Sequence, residues 1–183
     1  MATAQFTIAT AGTRSTAGHL RAVMIVLAGA GLAPGLFGLV NLGAEALDVL
    51  PLFFAPFGLP GWMGGAAHLG QLALLGAAFG VLLTVAAPRG RHWLAALIAA
   101  YIALPFITPP LDSLQLSLVC TALFLLGLAT LRRVGATSPL AGWLLTPMLA
   151  IVGFSASMGL VLTAAYTPPF ALMQGQNSTT PAA

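Results

Sequence analysis

Few residues in this sequence could do chemistry, and the first of them are His68 and Gln71. They lie three positions apart within a long apolar run, so a helix would place both on one face. An ionisable side chain at membrane depth is costly and by default indicates a site or a paired structural group. Two interpretations follow. His68 is a polar contact or axial ligand for a bound molecule such as a tetrapyrrole, or it is bonded to a neighbouring helix or interfacial water.

The other reactive side chains form no catalytic or metal-binding pattern. The sequence has no lysine, which excludes the Schiff-base and P-loop chemistries that need one. Cys120 is the single cysteine, so it can form neither an intramolecular disulfide nor a thiolate cluster. Glu45 and Asp48 have no basic or metal-binding neighbour in the sequence. We therefore predict that the protein is not an enzyme and has no metal site.

The composition is typical of a protein embedded in a bilayer. Of the 183 residues, 59% are apolar and only 5% are charged, whereas about a quarter of the residues of a soluble domain carry a charge. The mean hydropathy is +1.01. In such a chain, six arginines are more simply explained as topology signals than as a nucleic-acid-binding surface. We expect lipid, not nucleic acid, as the surrounding partner.

Five apolar stretches are long enough to cross the hydrocarbon core, which takes about 20 residues. Proline and glycine mark the breaks between them. The first stretch is longer than the core of a signal peptide, so we expect a span there. The predicted fold is an all-α, five-transmembrane-helix bundle over 18–168, with a flexible or interfacial segment at 1–17 and a polar tail at 169–183. The predicted spans are 20–44, 63–87, 92–108, 112–131 and 139–166.

The charges segregate to opposite ends of this predicted bundle. The positive-inside rule makes the arginine end cytoplasmic, which places the N-terminus inside and the C-terminus outside. We expect the bacterial inner membrane. One end carries the acids Glu45, Asp48 and Asp112, and the other carries the arginines Arg14, Arg21, Arg89, Arg91, Arg132 and Arg133.

Small residues four positions apart predict close helix packing, because lipid offers no hydrophobic drive for helices to associate. A tightly packed monomer and a homodimer that uses one of these faces are both consistent with them. The pairs are Gly31 and Gly35, Gly76 and Gly80, and Gly153 and Ser157.

The fourth span contains most of the remaining polar residues. We expect Gln115, Ser117 and Thr121 to form hydrogen bonds to other helices. Asp112 follows two prolines and precedes the apolar run, so it is expected to cap the N-terminus of this helix.

The first outer loop, residues 49–62, is apolar and contains three prolines. A segment this apolar is expected to lie against something. A lid over a cavity in the bundle and an anchor in the membrane interface are both consistent with it.

Several short motifs resemble one known family. Pro60, Trp62 and Gly65 form a Pro-x-Trp-x-x-Gly element at the start of the second span. With the five spans and the long first outer loop, the motifs resemble the TspO/MBR family, the tryptophan-rich sensory proteins and peripheral-type benzodiazepine receptors. The other motifs are Ala55-Pro56-Phe57, Gly31-Leu-Ala-Pro34, and Ser138-Pro-Leu-Ala-Gly-Trp-Leu-Leu-Thr-Pro147 followed by Phe154.

This resemblance implies a five-helix bundle, often dimeric, that binds a porphyrin, haem, sterol or related apolar ligand under the first outer loop, in a sensory or transport-linked role. His68 stands where the family has a tryptophan, and Phe53-Phe54 is the nearest counterpart of its loop Trp-Tyr pair. Gln71 joins the set through its spacing from His68. The predicted ligand-binding residues are Phe54, Trp62, His68, Gln71, Tyr101, Pro147 and Phe154.

Two other interpretations compete with that of a ligand-binding membrane protein. One is a non-catalytic accessory subunit of a larger respiratory or photosynthetic membrane complex, whose apolar faces pack against neighbours. The other is a small DoxX-like membrane protein, which usually has four spans and fits less well.

Overall fold

The computed structural model describes the backbone of residues 2–53, 60–85 and 88–166 and, within these ranges, the side chains of 16–53, 60–85 and 89–166. Helices account for nearly all of these residues, and no strand occurs among them. All five helices are long and apolar enough to span a membrane, which confirms the predicted helical class and helix number. The helices are α1 (Ala2–Glu45), α2 (Gly61–Thr84), α3 (Pro88–Ile107), α4 (Ser113–Thr137) and α5 (Pro139–Tyr166).

Two boundaries differ from the sequence prediction. Helix α1 begins at Ala2, so residues 2–17 of the predicted segment 1–17 belong to the first helix. The flexible or interfacial character of this segment stays a prediction. Helix α4 continues to Thr137 and includes Arg132 and Arg133, which were expected in a loop. The predicted tail at 169–183 lies outside the described residues.

The start of α4 is fixed by a capping box. The Asp112 side chain accepts a hydrogen bond from the Gln115 backbone N–H at 2.7 Å, and the Gln115 side chain accepts one from the Asp112 N–H. The predicted N-cap is therefore confirmed. The interhelical bonds expected of this span are wrong: Gln115 belongs to the cap, and the Ser117 and Thr121 hydroxyls donate to carbonyls of their own helix. A hydroxyl on a helix finds the carbonyl one turn back without needing a neighbour.

Helices α2, α3, α4 and α5 form a ring, in which α2 contacts α3 and α5, and α4 contacts the same two helices. Helix α1 packs mainly on the outside of α2. In the most apolar window of α1 only 11% of residues are buried, against 50% for α2. Helix α2 is thus the central helix, and α1 exposes most of its apolar surface.

The contact between α1 and α2 is made by glycines. A Cβ atom at Gly29 would collide with the backbone of Gly76, and one at Gly76 with the backbone of Gly29. A Cβ at Gly80 would also meet the α1 backbone. The predicted close packing at Gly76 and Gly80 is confirmed. Gly31 and Gly35 take no part in it, because a Cβ at either would have nothing within 4 Å.

The half of the bundle that carries the arginines is filled by large side chains. Arg91 donates hydrogen bonds to the Leu82 and Val85 carbonyls at the end of α2, at 3.0 and 2.6 Å. The Arg133 guanidinium lies 4.0 Å from the centre of the Trp93 ring and joins α4 to α3. We call this the packed half. Its fully buried core residues are Leu75, Leu82, Leu94, Leu97, Thr130, Val134, Leu145 and Met148.

Candidate functional site

The opposite half of the ring contains a cavity of about 410 Å³. Its walls come from the beginning of α2 and α4 and from the end of α3 and α5, so it lies in the half that carries the acids. We call this the hollow half. The volume falls within the range of roughly 300–1,000 Å³ that is typical of small-molecule sites. Most of the lining side chains are apolar, and none of the described ones is charged.

The cavity follows from the residue types along its walls. Pro105 lies inside α3, where its missing N–H cannot bond the carbonyl one turn back, at Tyr101. On the facing helices the lining positions include small residues that leave volume unfilled: Gly64 and Ala67 on α2, and Gly159 on α5. A proline in α3 and small side chains on α2 and α5 therefore leave the space between the helices of this half unfilled.

The start of the first outer loop lies over the cavity. Leu52 and Phe53 line it, and the Leu52 N–H donates to the Pro105 carbonyl at 2.8 Å. That carbonyl is left without a helical donor because the residue four positions on, Pro109, has no N–H. The loop is thus tied to the end of α3, as a lid would require. Residues 54–59 of the loop lie outside the described residues.

His68 is buried in an aromatic cluster at the cavity wall. Its ring stacks on Tyr101 with ring centres 4.3 Å apart and planes at 26°. The rings of Phe37 and Phe53 lie at 5.3 and 5.6 Å from it. Its Nε2 atom is buried and has no hydrogen-bond partner among the described residues. A buried polar atom in this state costs about 1–3 kcal/mol, so Nε2 is the group in this cavity that a ligand would satisfy.

Gln71 and Tyr101 satisfy each other. The Tyr101 hydroxyl donates to the Gln71 side-chain oxygen across the interface between α2 and α3. Both residues are buried and line the same cavity as His68. His68, Gln71 and Tyr101, all predicted from sequence, therefore line the same cavity. Gln71 and Tyr101 are hydrogen-bonded to each other, and His68 Nε2 has no hydrogen-bond partner among the described residues.

The remaining predicted residues are not brought into the cavity. Trp62 is 72% exposed on the first turn of α2, and Phe154 is 41% exposed on α5. Pro147 is exposed and lies in the packed half of α5. None of these three lines the cavity. Phe54 lies outside the described residues.

The predicted ligand-binding residues left out Phe37 and Phe53, whose rings lie beside His68. Phe53 belongs to the apolar loop that was expected to cover a cavity, so that loop was a usable signal. The sequence around Phe37 gave no such signal. Every face of α1 is apolar, so the spacing of its apolar residues does not show which face of the helix turns inward.

Within the described residues, no three His, Cys, Asp or Glu side chains are grouped as a metal site would require. Comparison with known proteins finds no matching family model, no matching curated protein and no matching solved structure. The resemblance to the TspO/MBR family therefore stays a prediction, and the function has to be argued from the cavity.

Proposed function

We propose that this chain is an integral membrane protein that binds an apolar or tetrapyrrole-like ligand in the cavity of the hollow half, in a sensory or transport-linked role. The observation that carries the proposal is the unpartnered Nε2 of His68 at the wall of an apolar cavity. A haem iron would need such a free imidazole nitrogen as its axial ligand. A porphyrin or another apolar molecule would use the same nitrogen as a hydrogen-bond partner.

The apolar walls would supply most of the affinity. Burial of ligand surface stabilises a complex by roughly 25 cal/mol per Å² of apolar area. The histidine would add orientation and about 1 kcal/mol from one hydrogen bond. Phe53 and the aromatic rings around His68 would exclude water from that bond.

The orientation proposed in the membrane follows from the charges. The arginines of the packed half would face the cytoplasm, and the cavity would lie in the outer leaflet of the bacterial inner membrane. Residues 52–53 would then cover the cavity from the outer face.

A titration of the purified protein with haem and with protoporphyrin, each as its uncharged dimethyl ester because no charged side chain among the described lining residues could pair with a propionate, tests this function. Saturable binding with a shifted absorption spectrum is expected for the wild type. His68→Leu should weaken binding by about fivefold, the equivalent of one hydrogen bond of about 1 kcal/mol, and should change the haem spectrum. His92→Leu is the matched control, since His92 lies at the start of α3 in the opposite half. Equal binding by all three proteins, or none by any, would contradict the proposal.

The exposed face of α1 favours a second candidate, an accessory subunit of a respiratory or photosynthetic membrane complex. Gly31 and Gly35 leave the α1 backbone open to close approach, and nothing in the described chain covers them. A helix of another subunit, or of a second copy, would fit there. Purification in a mild detergent tests this candidate: recovery only within a larger assembly, without a ligand of its own, would favour the subunit.

A further inference from the structure

The wall of the cavity that α5 supplies is also an outer surface of the bundle. Ile151, Met158 and Leu162 line the cavity and are still 41%, 37% and 47% exposed. Ala67 on α2 combines the same two properties. Leu52, Pro109 and Ser113, outside α2 and α5, are exposed lining residues as well. The four residues on α2 and α5 form a second exposed part of the cavity wall, and we call these four residues the lateral opening.

The other flank of α5 is closed. A Cβ atom at Gly153 would meet the Phe124 ring at 2.8 Å, and one at Gly159 would collide with the Ser117 side chain. Helices α4 and α5 are thus in close contact along the part of α5 that lines the cavity, so the cavity is closed on that flank of α5.

The position of the lateral opening matches one leaflet of a bilayer. Ile151 and Leu162 are eleven residues apart on α5, which corresponds to about 16 Å along a helix. This is about half of the roughly 30 Å hydrocarbon core. The side chains of the lateral opening are apolar, as contact with acyl chains requires.

His68, whose Nε2 atom has no hydrogen-bond partner among the described residues, lines the cavity from α2. Its ring stacks on Tyr101 of α3 and lies 5.3 Å from the Phe37 ring of α1. A ligand that reaches it from the lateral opening would pass along apolar side chains. No charged side chain among the described residues lines the cavity, and an ionised head would be buried there without a counter-ion.

We propose that the lateral opening admits a neutral amphiphile from the outer leaflet, whose carbonyl or hydroxyl oxygen bonds to His68 Nε2 and whose apolar tail lies between α2 and α5. This rests on the proposed ligand-binding function and narrows its ligand to a membrane-dissolved molecule with one uncharged oxygen head. A cavity of about 410 Å³ holds the head and the first part of the tail, and the rest stays in contact with lipid.

The test uses the full chain in phosphatidylcholine nanodiscs and a benzoquinone with a decyl tail that carries a diazirine at its far end. After illumination, peptide mapping is expected to find the label on the parts of α2 and α5 that border the lateral opening. An excess of the unlabelled decyl quinone should remove this label, because the site is saturable.

Two variants narrow the lateral opening from its two sides. Ala67→Phe acts from α2 and Met158→Trp from α5, so the test survives if one of them fails to fold. Either should reduce the competed label by about tenfold, the scale of overpacking a filled site. Ala66→Phe is the matched control, because Ala66 is exposed on the same helix and does not line the cavity.

The outcomes distinguish failure of the proposed lateral route from failure of the ligand-binding function on which it rests. Competed label at the lateral opening that is reduced in each narrowing variant that folds and kept in Ala66→Phe supports the proposal. Competed label that still depends on His68 but is unchanged in Ala67→Phe and Met158→Trp overturns the lateral route and leaves the binding function standing. Label that no competitor removes and that His68→Leu does not change overturns both.

Discussion

The packed half and the hollow half of the bundle are made by the same helices, and they differ in what fills the space between them. In the packed half large side chains such as Leu97, Leu145 and Met148 are fully buried. In the hollow half Gly64 and Ala67 face Pro105 across a cavity. The buried polar groups also differ, since the hollow half contains a buried nitrogen, His68 Nε2, that has no hydrogen-bond partner among the described residues.

This difference teaches how one helical bundle can combine a filled region with a cavity. Close packing is the main source of stability wherever lipid removes the hydrophobic drive between helices. An empty cavity and an unsatisfied nitrogen both cost stability. The packed half and the glycine contact between α1 and α2 offset that cost.

The largest effect is expected from two truncations on α3. Leu97→Ala in the packed half should lower the free energy of unfolding by about 2–5 kcal/mol, because it creates a cavity in a filled region. Leu104→Ala should cost less than half as much, because Leu104 already borders the cavity. Equilibrium unfolding in mixed micelles measures both. Equal losses would show that the two halves are packed alike.

The next largest loss of stability is expected at the glycine contact between α1 and α2. Gly76→Leu should cost about 1–3 kcal/mol, since the new side chain would force the α1 and α2 backbones apart. Gly31→Leu is the control and should leave the monomer unchanged, because nothing lies within 4 Å of that site. Thermal unfolding and the oligomeric state in detergent are the measurements. A neutral Gly76→Leu would mean that α1 does not dock where the structure places it.

Two leucine substitutions in the hollow half compare the hydrogen-bonded Gln71 side chain with the His68 side chain, whose Nε2 has no partner among the described residues. Gln71→Leu should destabilise the fold by about 1–2 kcal/mol, because it leaves the Tyr101 hydroxyl buried without its acceptor. His68→Leu should leave stability unchanged or raise it, since the Nε2 atom has no partner to lose. Unfolding in the absence of ligand measures both. A large loss for His68→Leu would indicate a structural bond to that histidine.

A smaller effect is expected at the arginine end of the packed half. Arg133→Gln removes the cation–π contact with Trp93 and should cost about 0.5–1 kcal/mol. Arg132→Gln, one residue earlier and exposed, should cost less. The quenching and emission wavelength of the Trp93 fluorescence, in a variant with the other tryptophans replaced by phenylalanine, report on the contact. An unchanged emission in Arg133→Gln would argue against it.

The smallest effect on the free energy of unfolding is expected from two cysteine substitutions that test which half of the bundle faces the cytoplasm. Single cysteines at Leu47 and Thr137, both exposed, should not alter stability. Leu47 is preferable to Asp48, whose φ of 55° would strain a new side chain. A membrane-impermeant thiol reagent applied to intact cells should label position 47 and not position 137. Labelling of both from outside would contradict the five-span orientation.

Much of the fold could be predicted from the sequence, and the site only in part. Apolar run length and proline breaks located five helices, and Asp112 located a cap, because these depend on neighbouring residues. The His68–Gln71 spacing indicated one face of α2. The resemblance to a known family placed Trp62 and Phe154 at the site, and they are exposed. A motif that matches by residue type does not fix the rotation of a helix about its axis.

The sequence by itself determined the helices, their apolar character and the segregation of charge between the two ends. These follow from local composition and from the cost of burying charge in lipid. Only the tertiary structure decided that α2 is central, that Gly29 and not Gly31 meets Gly76, and that His68 ends beside Tyr101 with a free nitrogen. The physical reason is that helices apolar on all faces carry no amphipathic signal. Which faces meet is then set by the fit of small residues between helices distant in sequence.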